Sequence, residues 1–373
     1  MHTALALASF ISTVQVQGTV LDQQSRWQDG LIVTDTTLRV DGVTEGEAPA
    51  GTIGSAVTVR HLGGVVDGVA QVAFGEDSLS AVAGERVAVR LQREGTTWFV
   101  AADAAHTHAS KSETGSTDAT GYVRAMTDIN QSCGGEPIAL HWPEGDTHYV
   151  LDSDSPHGVS AADGEAAVRA SFDAWATVGC SYFGLSFDGQ VDHPEVGYNG
   201  NSDNTNVVAY VEHDWKGKRS TQAITLLTFG CNDGVILDAD ILVNADNFRF
   251  TTDPENDDDD RRDLQNVLTH EAGHFVGFAH SPDPTSTMFA TVTADETQKR
   301  DLTDFDRAGM CVAYPADRGP LAVKVPGIAG CSVVAGGSHG GNRGLATGLA
   351  LLTIFSLAGL KSRARRSNHA RGR

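Results

Sequence analysis

Eleven residues, His270-Glu271-Ala-Gly-His274-Phe-Val-Gly277-Phe-Ala-His280, constrain this chain more than any other part of it. On a helix, positions i and i+4 share a face, so His270 and His274 can present imidazole nitrogens to one metal ion. Glu271 stands one step round the helix, within reach of a water at that ion without being a ligand. Gly277 lets the chain turn sharply, because glycine alone takes positive φ without penalty. The turn can then return His280 as a third ligand. Three histidines leave a fourth coordination position open, the arrangement of a catalytic rather than a structural zinc site. The bland alternative is three histidines satisfied by ordinary hydrogen bonds.

The residues before this stretch support a helix. Leu264, Val267, Leu268 and Phe275 mark one apolar face, and Asp260 and Asp263 place negative charge near its N-terminus.

The spacing H-E-x-x-H-x-x-G-x-x-H is the metzincin signature, which a methionine turn should follow. Ser286-Thr-Met288-Phe stands eight residues after His280. Within the metzincins the segment most resembles the matrixins, with Ser281 directly after the third histidine and Ala290, not a tyrosine, after the methionine. Leu302 to Pro315 looks like the closing matrixin helix, with Thr303 as N-cap and Asp306 three positions later as in a capping box. The resemblance spans residues 121–315. It implies an α+β catalytic domain, a mixed sheet with an active-site helix, that hydrolyses protein or peptide substrates. By that resemblance one Zn2+ sits on His270, His274 and His280 and activates a water. Glu271 serves as general base, and Met288 packs beneath the site without being a ligand. Two features depart from the animal matrixins. Asp238-Ala-Asp240 stands where a structural-zinc histidine is expected, and Cys133-Gly-Gly-Glu-Pro137 only faintly echoes a cysteine switch. A disulfide is the favoured role for Cys133.

Before this domain, residues 15–102 show short alternating runs split by Gly and Asp: 31–34, 37–40, 56–59, 87–91 and 98–100. They predict a small all-β barrel or sandwich with an accessory role. Residues 103–120, rich in Ala, Ser, Thr, Asp and Gly, read as a linker in which His106 and His108 have no role. Residues 1–14 hold an apolar run, Ala4 to Val14, without a preceding basic residue. Two readings stay open there: a degenerate signal segment, or a start slightly inside the true reading frame. Within 121–315, Ala166, Val168, Phe172, Trp175, Ala176 and Val178 predict an amphipathic helix, and 138–142, 206–210 and 241–243 predict strands. The acidic run Asp257 to Asp260 is a solvated loop or, at the margin, a Ca2+ site.

The net charge is −21, and six basic residues with no acid occupy the tail from Lys361 to Arg373, so the body is more acidic still. Such a surface repels phosphate backbones and argues against nucleic-acid binding. Four of the five cysteines (Cys133, Cys180, Cys231 and Cys311) fall in the matrixin-like segment. They predict two disulfides and an oxidising compartment, with three pairings open; buried free thiols are the alternative. Leu345 to Leu360 is uncharged and is followed at once by Lys361, Arg363, Arg365 and Arg366, which reads as a membrane segment with its cytoplasmic flank. Cys331, this segment and the basic cluster resemble the tripartite sorting signals of Gram-negative surface proteins, especially the myxobacterial kind. Residues 316–344 would be the linker and 345–373 the anchor, putting the catalytic domain at the cell surface. A second function class, a surface adhesion protein using the domain as scaffold, conflicts with the intact Glu271. A peptidase acting on cell-wall peptides stays open.

Overall fold

The computed structural model describes residues 13–100 and 122–317, apart from 77, 80, 95–96, 129–132, 144, 201–203, 216, 256–259 and 294. The expected signal segment, the 103–120 linker, Cys331 and the apolar run 345–360 lie outside the described residues. So does the acidic run except for Asp260. All described residues belong to one compact unit, 1–323.

From residue 13 to 100 the described elements are strands: β1 (Thr13–Gln28), β2 (Leu31–Glu45), β3 (Ala56–Leu62), β4 (Gly64–Val66), β5 (Val69–Phe74), β6 (Arg86–Glu94) and β7 (Thr97–Val100). Five of them close a barrel in the order β1-β2-β3-β7-β6. Its interior is the alternating apolar set read from the sequence, including Val16, Leu38, Val59 and Val89, all fully buried. The runs 31–34 and 37–40 are parts of one long strand, β2, because Asp35 between them faces outward to Arg26 and Arg60.

The other two strands leave the barrel. β4 and β5 form a hairpin that joins a seven-stranded sheet made otherwise from β8 (Asp146–Asp152), β9 (Gly184–Val191), β10 (Val207–Val211), β11 (Ala223–Gly230) and β12 (Ile236–Asn244). The sheet order is β4-β5-β11-β12-β10-β8-β9. β8, β9, β10 and β12 are parallel, and β11 runs antiparallel to β12 and β5. The separation expected between an accessory barrel and the second sheet is therefore bridged by this hairpin. Periodicity marks a strand but does not name its partner, so the crossing was illegible in the sequence. A two-stranded parallel ladder, β13 (Arg249–Thr251) with β14 (Arg261–Asp263), leads into the central helix.

Among the described residues the α-helices are α1 (Ala161–Ala176), α2 (Leu264–Phe275) and α3 (Asp304–Ala313), with α1 and α2 packed on the sheet. Ser160 caps α1 by accepting from the Asp163 N–H. Asp263 caps α2 by accepting from the Asn266 N–H at 2.7 Å, and Arg300 holds the same carboxylate. The predicted capping box of Thr303 and Asp306 is present on α3. α2 departs from the one-faced pattern read in sequence: it is buried nearly all round. Its polar residues tolerate this because each finds a partner: Asn266 accepts from the Lys299 N–H, and the Thr269 carbonyl accepts from Trp175 Nε1. Trp175 is completely buried in the core shared by α1, α2 and the sheet. Its truncation to alanine would cost about 3–5 kcal/mol.

Candidate metal centre

The C-terminal end of α2 is fixed by residues far away in sequence. Phe275 O accepts from Trp142 Nε1 at 2.8 Å, and Val276 O accepts from the Tyr314 hydroxyl at 2.8 Å. Gly277 follows in the left-handed region, φ 94°, where a Cβ would press on Leu140 O. The chain then runs extended beside Val123 to Ala125, with Ala279 N–H donating to Val123 O. This pairing carries His280 back over the helix.

The three imidazoles converge. His280 Nε2 lies 3.2 Å from His270 Nε2 and 3.1 Å from His274 Nε2. Nitrogens each about 2.0–2.1 Å from one tetrahedral zinc would stand roughly 3.3–3.4 Å apart. The opposite ring nitrogens are engaged: His270 Nδ1 donates to Thr287 O at 2.7 Å and His274 Nδ1 to Phe278 O at 2.8 Å. These bonds keep the proton on Nδ1 and turn the Nε2 lone pairs inward. Burial, reinforced by the neighbouring His280, holds His270 and His274 well below the ordinary histidine range, so both are neutral. Three imidazole nitrogens gathered this closely, two of them on buried neutral rings, crowd one another unless a cation lies between them, so the donor set fits a zinc ion.

Glu271 is buried beside them. Thr225 on β11 places its hydroxyl 2.6 Å from Glu271 Oε2. Burial pushes the Glu271 carboxyl up to about 7, against the pull of this hydrogen bond. Beneath the site, Met288 packs so closely on Gly273 that a side chain there would collide with its sulfur and with Trp175. The methionine turn is pinned from two sides. Ser281 N–H donates to Met288 O, and Asp306 accepts from both the Ser286 hydroxyl and the Thr287 N–H. Asp306 thus closes the α3 capping box and anchors the floor of the site together.

An open cleft of about 300 Å³ reaches Glu271, His270 and His280, with Val267, Val292 and Lys299 among its walls. Lys299 Nζ donates to Phe289 O and Thr291 O, fixing the segment after the methionine turn.

Residues 141–315 match the family model for matrixin. The matched segment holds β8 to β14, all three helices and the three-histidine centre. Over those residues the chain is similar to the matrixins, a metallopeptidase family. A comparison with curated proteins finds no match.

Where the sequence showed Asp238-Ala-Asp240, no metal cluster is found among the described residues. Asp240 instead accepts from the Gly197 and Val207 N–H groups and fastens the preceding loop. A second grouping among the described residues that could hold a cation is Asp152, Asp154 and His193, of which Asp152 is buried and the other two are exposed. Cys133 is bonded to Cys231 and Cys180 to Cys311, with Cα–Cα separations of 5.3 and 5.1 Å. The first pairing gives Cys133 its disulfide role. No helix among the described residues is long and apolar enough to cross a membrane. Two residues at the site carried no sequence signal. Thr225 is an ordinary strand threonine by composition, and Phe74, stacked on His274 with ring centroids 4.1 Å apart, comes from the barrel-side segment.

Proposed function

We propose that this chain is a zinc-dependent endopeptidase with His270, His274 and His280 as the metal ligands and Glu271 as general base. The observation that carries the reading is the convergence of three histidine Nε2 atoms beside a buried carboxylate that is held in place by Thr225. Zinc, when bound there, supplies a Lewis acid for the scissile carbonyl and lowers the pKa of water at its open position. Glu271 faces the cleft, takes a proton from the attacking water on a carboxylate oxygen, and hands it to the leaving amine. Thr225 keeps that carboxylate from rotating. Met288 supports α2 from below and takes no part in the proton transfer.

The location we propose is outside the cytoplasm, supported by the two disulfides, with residues 345–373 as anchor or sorting segment and Cys331 as its processing point. The 15–102 segment is read as accessory, and the substrate as protein or peptide.

The test is a library of short peptides digested by the full chain in the presence of zinc and read by mass spectrometry, with and without a chelator and beside Glu271→Gln. Cleavage that needs both zinc and Glu271 is expected. A protein that holds stoichiometric zinc and cleaves nothing overturns the reading in favour of a scaffold.

A further inference from the structure

The strand nearest the catalytic carboxylate is β11, through Thr225. Within the matrixin-like segment β11 is the last strand of its sheet, so its outer backbone is a row of donors and acceptors beside the metal centre. An extended peptide recognised there would add as one more strand, the commonest way for a sheet edge to bind a chain. That edge is filled by the chain itself. β5 pairs antiparallel with β11 over six residues, from Val69 opposite Gly230 to Phe74 opposite Thr225. Beyond the strand, Thr221 donates its hydroxyl to Gly75 O, and the Glu76 carboxylate accepts the Lys218 N–H at 2.8 Å. Coverage therefore continues past the level of Glu271, and Gly75 stands in the wall of the cleft. Phe74 lies flat on His274.

The hairpin is an excursion, not a structural need of the barrel. The barrel closes through β3, β7 and β6 without β4 or β5, although both lie between β3 and β6 in sequence. Glycines with positive φ stand at both ends of the excursion: Gly63 just before it and Gly64 at its first position (φ 91° and 137°), and Gly75 after it (φ 88°). Such residues are natural pivots for a segment that leaves one sheet for another. Its tip, Asp67-Gly68, is exposed.

We propose that the β4–β5 hairpin is a built-in competitor of the substrate. It occupies, as an added strand, the peptide-pairing edge of β11, so the full chain is latent toward extended polypeptides until the hairpin is withdrawn or cut. This rests on the peptidase reading above. The open cleft still admits short peptides, so latency and lack of activity are separable.

The experiment uses the full chain loaded with zinc and two substrates, a short quenched peptide and an unfolded protein. Val72, buried against the helix side of the sheet and opposite Leu227, is replaced by Val72→Asp to loosen β5. Gln71→Ala is the milder partner; it removes the bonds from Gln71 to the Ile32 N–H and the Thr228 hydroxyl. The expected result is at least a tenfold rise in cleavage of the unfolded protein by either variant, with faster hydrogen exchange confined to residues 69–76. A synthetic peptide copying residues 68–76 should then inhibit the loosened variant and leave the parent chain unaffected. If both variants lose activity and thermal stability together, β5 is a permanent strand and the proposal is wrong. If the parent chain already cleaves unfolded protein as fast as the variants, the proposal falls and the peptidase reading stands. If no form cleaves either substrate, both fall.

Discussion

The Thr225 hydroxyl sits 2.6 Å from Glu271 Oε2 and 3.1 Å from the Glu271 backbone oxygen, so one strand residue fixes both the Glu271 carboxylate and its turn of helix. A hydrogen bond to a charged group contributes roughly 1.5–3 kcal/mol. Thr225→Val, nearly isosteric, should therefore lower kcat by about 10- to 100-fold while zinc content stays at one per chain. Metal analysis beside steady-state rates checks it. An unchanged kcat would show that Glu271 is held by other means.

The proposed ligand set separates from the proposed base by a different pair of measurements. His274 is fully buried and its Nδ1 bond to Phe278 O presets Nε2. His274→Ala should lose both bound zinc and activity. Zinc should raise the Tm of the parent chain, because an ion that binds only the folded state stabilises it by mass action. A His274→Ala protein with stoichiometric zinc and full turnover would remove the assignment.

Both disulfides join residues distant in sequence, by 98 and 131 positions. Cys180–Cys311 ties the loop after α1 to α3, and so fixes the helix whose Asp306 anchors the methionine turn. Cys180→Ser with Cys311→Ser should cost about 2–5 kcal/mol, seen as a lower Tm. Thiol counting on denatured, unreduced protein should find no free thiol among Cys133, Cys180, Cys231 and Cys311. Four titratable thiols there would contradict the pairing.

The parts of this fold legible in sequence are those written in local spacing. The eleven residues from His270 to His280 specify a helix, a glycine turn and a returning histidine through backbone geometry alone. Thr303 and Asp306 likewise announce a helix start three residues apart. What stayed hidden depends on pairing across the chain. β11 is buried along nearly its whole length and has no polar-apolar alternation to mark it, because both of its faces are covered. β5 has the same character, and nothing in Val69 to Phe74 says that its partner lies 150 residues on. Asp240 was legible as a missing histidine, but not as a hydrogen-bonded clasp on Gly197.

Gly273 is the x before His274 in the signature, a position the spacing leaves free. Here it is not free. A Cβ would meet Met288 Sδ, Trp175 Cζ2 and Met288 Cε, two of the most constrained side chains in the core. In an ordinary helix interior alanine is about 1 kcal/mol better than glycine. Gly273→Ala should reverse that sign and destabilise by roughly 1–3 kcal/mol through overpacking, with loss of zinc affinity as α2 shifts from the methionine turn. Denaturant unfolding decides it, and a gain in stability would mean that Met288 moves aside freely.

Asp238 is the least comfortable acid among the described residues. It is 1% exposed on β12, and neither carboxylate oxygen has a hydrogen-bond partner among the described residues. Burial pushes its carboxyl up from 3.8 to about 7, and its neighbour Asp240 is raised as well, by burial and then by Asp238 itself. Between pH 4 and 7 the folded chain therefore binds a proton at Asp238 that the unfolded chain has released. Stability contributed by this group is present in full below its unfolded pKa and falls as pH rises through the folded value, by ~1.4 kcal/mol for each unit separating the two. Asp238→Asn keeps the shape and removes the ionisation. Its Tm relative to the parent chain should rise steadily from pH 4 to pH 8, with the largest gain at the alkaline end. An equal effect of the substitution at pH 4 and pH 8 would show that Asp238 does not change protonation on folding.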